Sequence, residues 1–295
     1  MKSLTTILTE QWGMADVRFR EHLAAKGQRQ VVRFDSSEGQ WALKILEPST
    51  NEQRVIHDTL ALDFVSQGEL APRVLRTVDN ECYVHHEGRF MYLMEYVDGR
   101  DLREEPDDEY HLGQATARLH QLIGYDQPSS LNGCNVNRRI REMEGRFHDQ
   151  PFTTDHDELL KTLRDFTTVC QSFIHTDVGP HNARINRQGS VVFIDLDDAG
   201  IGPTCIDVGY PLICQFVRHR SNGELGFDEV NAKAFYQGYL AQSPLDVSER
   251  ESIFDGAVFM QLMYMDAYGE KGVDPMWGIL TYALNNQEVL KRTFL

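Results

Sequence analysis

The residues best suited to chemistry lie in one short stretch, FIHTDVGPHN at residues 173–182. Within it His175, Asp177 and Asn182 stand in the spacing H-x-D-x-x-x-x-N. An Asp in that position can accept the proton of an attacking hydroxyl and aim its oxygen in line with a phosphoryl group. The following Asn can offer a neutral oxygen to Mg²⁺. Beyond Asn182 the chain reads Ala183-Arg184-Ile185, then Asn186-Arg187-Gln188-Gly189, then Val191-Val192-Phe193-Ile194 and Asp195. This is a strand, a tight turn and an apolar strand that ends on a carboxylate. The expected hairpin folds Asp195 back beside Asn182, giving two oxygen ligands for a hard cation that bridges phosphates. His175 has two readings: it packs and hydrogen-bonds to hold the loop, or it serves as a base, since imidazole titrates near neutrality.

Other elements must carry these residues. Residues 3–12 read as a short helix, and residues 28–34 and 40–46 alternate as strands around the turn DSSEG. Residues 52–65 have helical spacing and run out near Gly68; strands follow at 73–77, 82–86 and 90–96. One helix between the second and third of five strands describes an α+β unit. After Val97-Asp98-Gly99 the character changes. An acidic stretch, 98–110, leads into an amphipathic helix at 111–123. Further helices are expected at 137–147, 155–169, 210–216, 228–241, 248–268 and 277–294, interrupted by the strand-rich island 173–195. The boundary falls near residue 97. It gives residues 1–96 as a small strand-rich lobe and residues 97–295 as a larger helical lobe with an embedded hairpin.

Bulk composition narrows the partners. The chain has 295 residues with 29 Lys and Arg against 45 Asp and Glu, a formal net charge of −16. A phosphate-backbone binder needs the opposite sign, so nucleic acid is excluded as an expected partner; the charge reads either as simple solubility or as a cleft that attracts a cationic substrate. No long apolar run suggests a membrane span, and the N-terminus does not read as a secretory signal. Five scattered cysteines without CxxC spacing fit reduced thiols, and the expected compartment is the cytoplasm.

The stretch from His175 to Leu212, HTDVGPHNARINRQGSVVFIDLDDAGIGPTCIDVGYPL, resembles the signature of the aminoglycoside phosphotransferase/choline kinase family. The resemblance implies a two-lobe protein-kinase-like fold and transfer of phosphate from ATP or GTP, with Mg²⁺, to a hydroxyl of a small molecule. It also implies roles: Asp177 as catalytic base, Asn182 and Asp195 as Mg²⁺ ligands, and Asp207 as a buried brace for the catalytic loop. Only eleven residues separate Asp195 from Asp207, too few for a phosphorylated activation loop. Ala42-Leu43-Lys44-Ile45 resembles the V-A-I-K strand, which puts Lys44 on the α- and β-phosphates. Met94-Glu95-Tyr96-Val97 resembles the hinge, where backbone groups of Glu95 and Tyr96 would meet the adenine edge.

Two departures stand out. The loop expected to cover the phosphates has a single glycine, Gly27, in Lys26-Gly27-Gln28-Arg29 rather than G-x-G-x-x-G. The helix acid expected to pair with Lys44 falls nearest His57, with Asp58 beside it and Glu52 further off, so that partner is left open. Tyr264 and Asp266, on a Met- and Tyr-rich helix, are expected to line the acceptor pocket, with Asp197 also on the acceptor side. The string from Phe193 to Ala199, followed by Gly202-Pro203, is also similar to stress-response serine/threonine kinases of the RdoA/YihE type and to type II homoserine kinases. A protein acceptor is therefore the alternative substrate, and a non-catalytic kinase-like binding protein the alternative class.

Overall fold

The computed structural model describes residues 3–124, 131, 136–269 and 273–294. By its internal contacts the chain divides into two units. The first comprises residues 1–100 and 184–197, the second residues 101–183 and 198–295.

In the first unit, α1 (Leu4–Trp12) is capped by Ser3, whose side chain accepts from the amide of Thr6, and closes on Gly13. The strands β1 (Arg18–Lys26), β2 (Arg29–Ser36), β3 (Gly39–Ile45), β4 (Val74–Leu75), β5 (Val84–His86) and β6 (Arg89–Glu95) form one antiparallel sheet. Its order is β1-β2-β3-β6-β4, with β5 also pairing β6. Between β3 and β4 runs α2 (Glu52–Ser66), capped by Asn51. Strand alternation sorts the side chains. Phe34, Leu43, Ile45, Met91 and Leu93 share a face and pack with Ile7, Leu8 and Trp12 of α1. Lys44 and its cross-strand partner Tyr92 necessarily point the other way, and both are buried.

The sequence places one strand fewer before the helix. β1 was not expected because RFREHLAAK does not alternate: it is an edge strand with shifts in register, and Phe19 and Leu23 remain exposed.

The next strands are β7 (Gly99–Asp101), β8 (Gln171–Ile174), β9 (Ala183–Asn186) and β10 (Val191–Phe193). The β9–β10 hairpin closes as expected at Asn186–Gly189, where the Asn186 side chain accepts from the amides of Gln188 and Ser190 and Gly189 adopts a positive φ. β9 pairs β7, and the Phe193 amide donates to the Leu70 carbonyl. These bonds tie residues 184–197 to the first unit, whereas the sequence reading kept them with residues 97–295.

The second unit is mainly helical: α3 (Pro106–His120), α4 (Val136–Met143), α5 (Thr153–Thr162), α6 (Thr204–Cys214), α7 (Glu229–Gln242), α8 (Val247–Tyr268), α9 (Val273–Asn285) and α10 (Gln287–Lys291). Strand β11 (Gly200–Pro203) pairs with β8, and β12 (Val217–His219) with β13 (Leu225–Phe227). The expected single helix over 277–294 is two helices, joined at Asn286. α6 and α8 cross closely because Gly256 faces the backbone of α6: a Cβ there would lie 2.1 Å from the Cys205 carbonyl oxygen. That approach sets Tyr210 of α6 against Tyr264 of α8.

Among the described residues no helix is long and apolar enough to cross a membrane. Cys82, Cys170, Cys205 and Cys214 are free thiols, and Cys134 lies outside the described residues.

Candidate active site

In the second unit, β8 delivers the chain into the loop from His175 to Asn182, and β11 delivers it into α6. Because β8 and β11 pair antiparallel, with Ile174 opposite Gly200, the first turn of α6 lies against the start of the loop. There the fully buried Asp207 accepts the amides of His175 at 2.6 Å and Thr176 at 2.7 Å. His120 Nε2 lies 3.1 Å from the same carboxylate, and His120 Nδ1 lies 2.8 Å from the Tyr239 hydroxyl. Three nitrogens thus surround one buried charge, which would otherwise be costly to desolvate. Thr176 has φ 71, a left-handed conformation that a β-branched residue adopts only under constraint. The two amide bonds to Asp207 and the Thr176 hydroxyl bond to the Asp198 carbonyl supply that constraint.

The strained turn presents Asp177 to a ring of donors. Asn182 Nδ2 donates to Asp177 Oδ2 at 2.8 Å and to the Asp177 carbonyl at 3.0 Å. With both amide protons turned inward, Asn182 Oδ1 is the atom it presents as a ligand. The Tyr264 hydroxyl donates to Asp177 Oδ1 at 2.7 Å, and His181 Nε2 lies 3.4 Å from the same oxygen. The Tyr210 hydroxyl is 2.8 Å from that of Tyr264, whose own proton is committed to Asp177. Burial opposes the Asp177 charge, but His181, Tyr210 and Tyr264 hold the carboxyl well below the usual carboxylate range.

In the first unit the bend after β10 brings Asp195 and Asp197 to the buried face of the sheet that carries Lys44. Lys44 Nζ lies 3.2 Å from Asp195 Oδ1 and 2.5 Å from Asp197 Oδ1. Arg29, at the start of β2, pairs with the other oxygen of Asp197 and lies 3.4 Å from Asp195 Oδ1. The two carboxyls divide the charge unequally. Burial pushes Asp195 up, opposed by Lys44. Burial likewise works on Asp197, but Lys44, Asp195 and Arg29 hold it well down. Asp58 of α2 is buried beside Arg54, 3.0 Å away, and within the field of Lys44. Burial pushes its carboxyl up.

The expected residues are therefore distributed as follows. Lys44 and Asp195 come together in the first unit; Asp177, Asn182 and Tyr264 in the second, with His175 and Asp207 directly behind. Asp197, expected on the acceptor side, pairs with Lys44 and Arg29 instead, because the bend at the end of β10 keeps it in the first unit. Asp266, expected in the acceptor pocket, has its carboxylate 2.7 Å from Arg146 Nε. The amides of Glu95 and Tyr96 donate to the carbonyls of Arg73 and Gln40, so a ligand edge at these residues would meet carbonyl oxygens. Gly27 turns the β1–β2 hairpin at φ 60, and a Cβ there would lie 2.6 Å from Glu47 Oε1. Of the acidic stretch 98–110, Asp108 and Glu109 are buried rather than solvated.

Sequence reasoning missed Arg29, Tyr210, His120 and the strain at Thr176. Arg29 carried one signal, its place directly after the single-glycine turn. Tyr210 sits on an apolar helix and His120 on the buried side of an amphipathic one, and nothing local marks them.

Asp195 in the first unit and Asn182 in the second each carry an oxygen of the kind that suits a hard cation such as Mg²⁺, and Lys44 and Arg29 in the first unit suit phosphate oxygens.

Residues 22–242 match the model of the phosphotransferase enzyme family. No curated protein is a significant match to the sequence. Among solved structures, a microcompartment-associated aminopropanol kinase superposes with a TM-score of 0.73 at 17% identity, covering 97% of each chain. An amicoumacin kinase in complex with AMP-PNP, Ca²⁺ and Ami gives 0.69 at 16% identity, over 99% of this chain and 94% of that one. Choline kinase from Cryptosporidium parvum gives 0.58 at 12% identity, over 95% and 91%. At these identities the likeness is one of fold, and the fold is protein-kinase-like, α+β, with an antiparallel sheet in the first unit and helices dominating the second.

Proposed function

The chain belongs to the phosphotransferase enzyme family, and from that premise we propose that it moves the γ-phosphoryl group of ATP or GTP to a hydroxyl of a small, cationic molecule. The observation that carries this reading is the Tyr264 hydroxyl, bonded to Asp177 Oδ1 at 2.7 Å. Asp177 already accepts a hydrogen bond from one hydroxyl, the interaction that an acceptor hydroxyl would make.

The roles follow from the chemistry of each group. Asp177 accepts the acceptor's hydroxyl proton and orients the oxygen. Its low proton affinity suits orientation better than early proton abstraction, and a loose phosphoryl-transfer transition state asks for little of the latter. Asn182 Oδ1 and Asp195 are the oxygens that would hold Mg²⁺, which when bound neutralises charge on the phosphates. Lys44 would meet the α- and β-phosphates, the turn at Gly27 would lie over them, and the carbonyls of Glu95 and Tyr96 would face the base. Asp207 braces the loop through the amides of His175 and Thr176, and buried His175 serves that positioning. Tyr264, with exposed Tyr268, offers aromatic faces to a cationic acceptor; the two rings are 6.1 Å apart. With Asp266 held by Arg146, the rings rather than that carboxylate carry the recognition. A cytoplasmic enzyme with a small-molecule acceptor is the expected setting.

The test is phosphate transfer from Mg-ATP and Mg-GTP across a panel of amino-alcohols, aminoglycosides, sugars, homoserine and a protein acceptor, with wild type against Asp177→Asn. Transfer that is indistinguishable between the two proteins for every acceptor would overturn the reading.

A further inference from the structure

The β1–β2 turn poses a chemical problem. A glycine-rich loop binds phosphates through backbone amides, which requires several residues without side chains so that the backbone can approach closely. Here only Gly27 is of that kind, and the next positions are Gln28 and Arg29. Backbone capture of a phosphate chain is therefore poorly provided for, while a guanidinium stands at the end of the turn.

That guanidinium is engaged. Arg29 Nη2 bridges Asp195 Oδ1 and Asp197 Oδ2, the contact to Asp195 being 3.4 Å. Lys44 Nζ holds the opposite oxygen of Asp197 and the same oxygen of Asp195. Two cations thus face two carboxylates, with Arg54 Nη2 a further 3.8 Å from Asp197. The members differ in how they are held. Lys44 is enclosed, with 4% of its side chain exposed, whereas Arg29 keeps 29% and Asp195 40%. Arg29 is therefore the cation open to solvent, and Lys44 the enclosed one. A divalent cation on Asp195 would also leave the cluster with excess positive charge beside an arginine that had lost one partner.

We propose that Arg29 is a partner-exchanging phosphate ligand: it neutralises Asp195 and Asp197 when no nucleotide is bound, and transfers to the phosphate chain when the metal-nucleotide arrives. Arg29 thereby does with a forked side chain what the missing glycines would do with amides. Its bridge also competes with divalent cations for Asp195, so metal without nucleotide binds weakly. The inference rests on the nucleotide reading above and goes beyond it in naming this residue and its exchange.

Calorimetric titration of the full-length protein tests it, with Mg-ATP, inorganic tripolyphosphate with Mg²⁺, and adenosine as probes. Arg29→Ala should weaken Mg-ATP and tripolyphosphate by about tenfold or more, equivalent to about 1.4 kcal/mol, and leave adenosine within about twofold. Arg29→Lys should recover part of the loss. Mn²⁺ alone, followed by electron paramagnetic resonance, should bind Arg29→Ala more tightly than wild type. If Arg29→Ala fails to fold, Arg29→Lys and Arg29→Gln carry the same comparison. Equal losses for ATP and adenosine, or no loss for either, would make Arg29 a static brace and overturn the exchange. Wild type that binds none of the three probes would instead overturn the nucleotide reading, and the exchange with it.

Discussion

The hydroxyl of Tyr264 donates to Asp177 Oδ1 at 2.7 Å, and Tyr210 backs it at 2.8 Å. Two phenols on different helices therefore converge on one carboxylate. Tyr264→Phe removes a donor to the charged form, so the Asp177 carboxyl should rise toward its ordinary range. The acidic limb of the kcat/KM profile should accordingly move to higher pH. A profile that does not move would separate Tyr264 from the site.

Asp177→Asn keeps the shape of the side chain and removes its ability to take a proton. Turnover should fall by on the order of a thousandfold, while Mg-ATP affinity stays within about a factor of two. Single-turnover transfer and calorimetry give the two numbers separately.

Asp207 is buried with the amides of His175 and Thr176 and the ring of His120 around it. Asp207→Ala leaves those donors without their partner and should cost about 3–5 kcal/mol of unfolding free energy in urea. It should also release Thr176 from its strained turn, so kcat should fall beyond what partial unfolding accounts for. Asp207→Asn should lose less stability.

Glu109 sits buried at the start of α3, with Gln215 donating to Oε1 and Oε2 without a hydrogen-bond partner among the described residues. Burial, with Glu104 and Asp228 nearby, pushes its carboxyl up to about 8 from an ordinary value of 4.5. A raised folded-state value stabilises the fold fully below pH 4.5, and that contribution is lost as pH rises through about 8. Wild type should lose stability across that window, on the order of a few kcal/mol. Glu109→Gln should flatten the curve, and a urea midpoint series between pH 5 and 9 checks it.

Gly256→Ala would place a Cβ 2.1 Å from the Cys205 carbonyl. The backbones of α6 and α8 must separate, at a cost of about 1–3 kcal/mol. Because the same crossing seats Tyr210 against Tyr264, kcat/KM should fall along with the melting temperature.

Much of the site could be read from local sequence, because its parts are close in the chain. His175, Asp177 and Asn182 share one loop, the turn at Asn186–Gly189 announces itself by residue type, and Asp195 closes the strand that follows. Alternation along β3 was enough to turn Lys44 away from the α1 core. What required the tertiary structure is long-range pairing of charges and hydroxyls, for which a linear sequence carries no period or spacing. Arg29 meets Asp197 across 168 residues and Tyr264 meets Asp177 across 87. Asp197 sits two residues from Asp195 in a string that could face either way; only the bend after β10 decided that it pairs with Lys44. Residue types and spacing determined which reaction this chain is equipped for. Packing decided which cations hold Asp195 and Asp197 and which phenols hold Asp177.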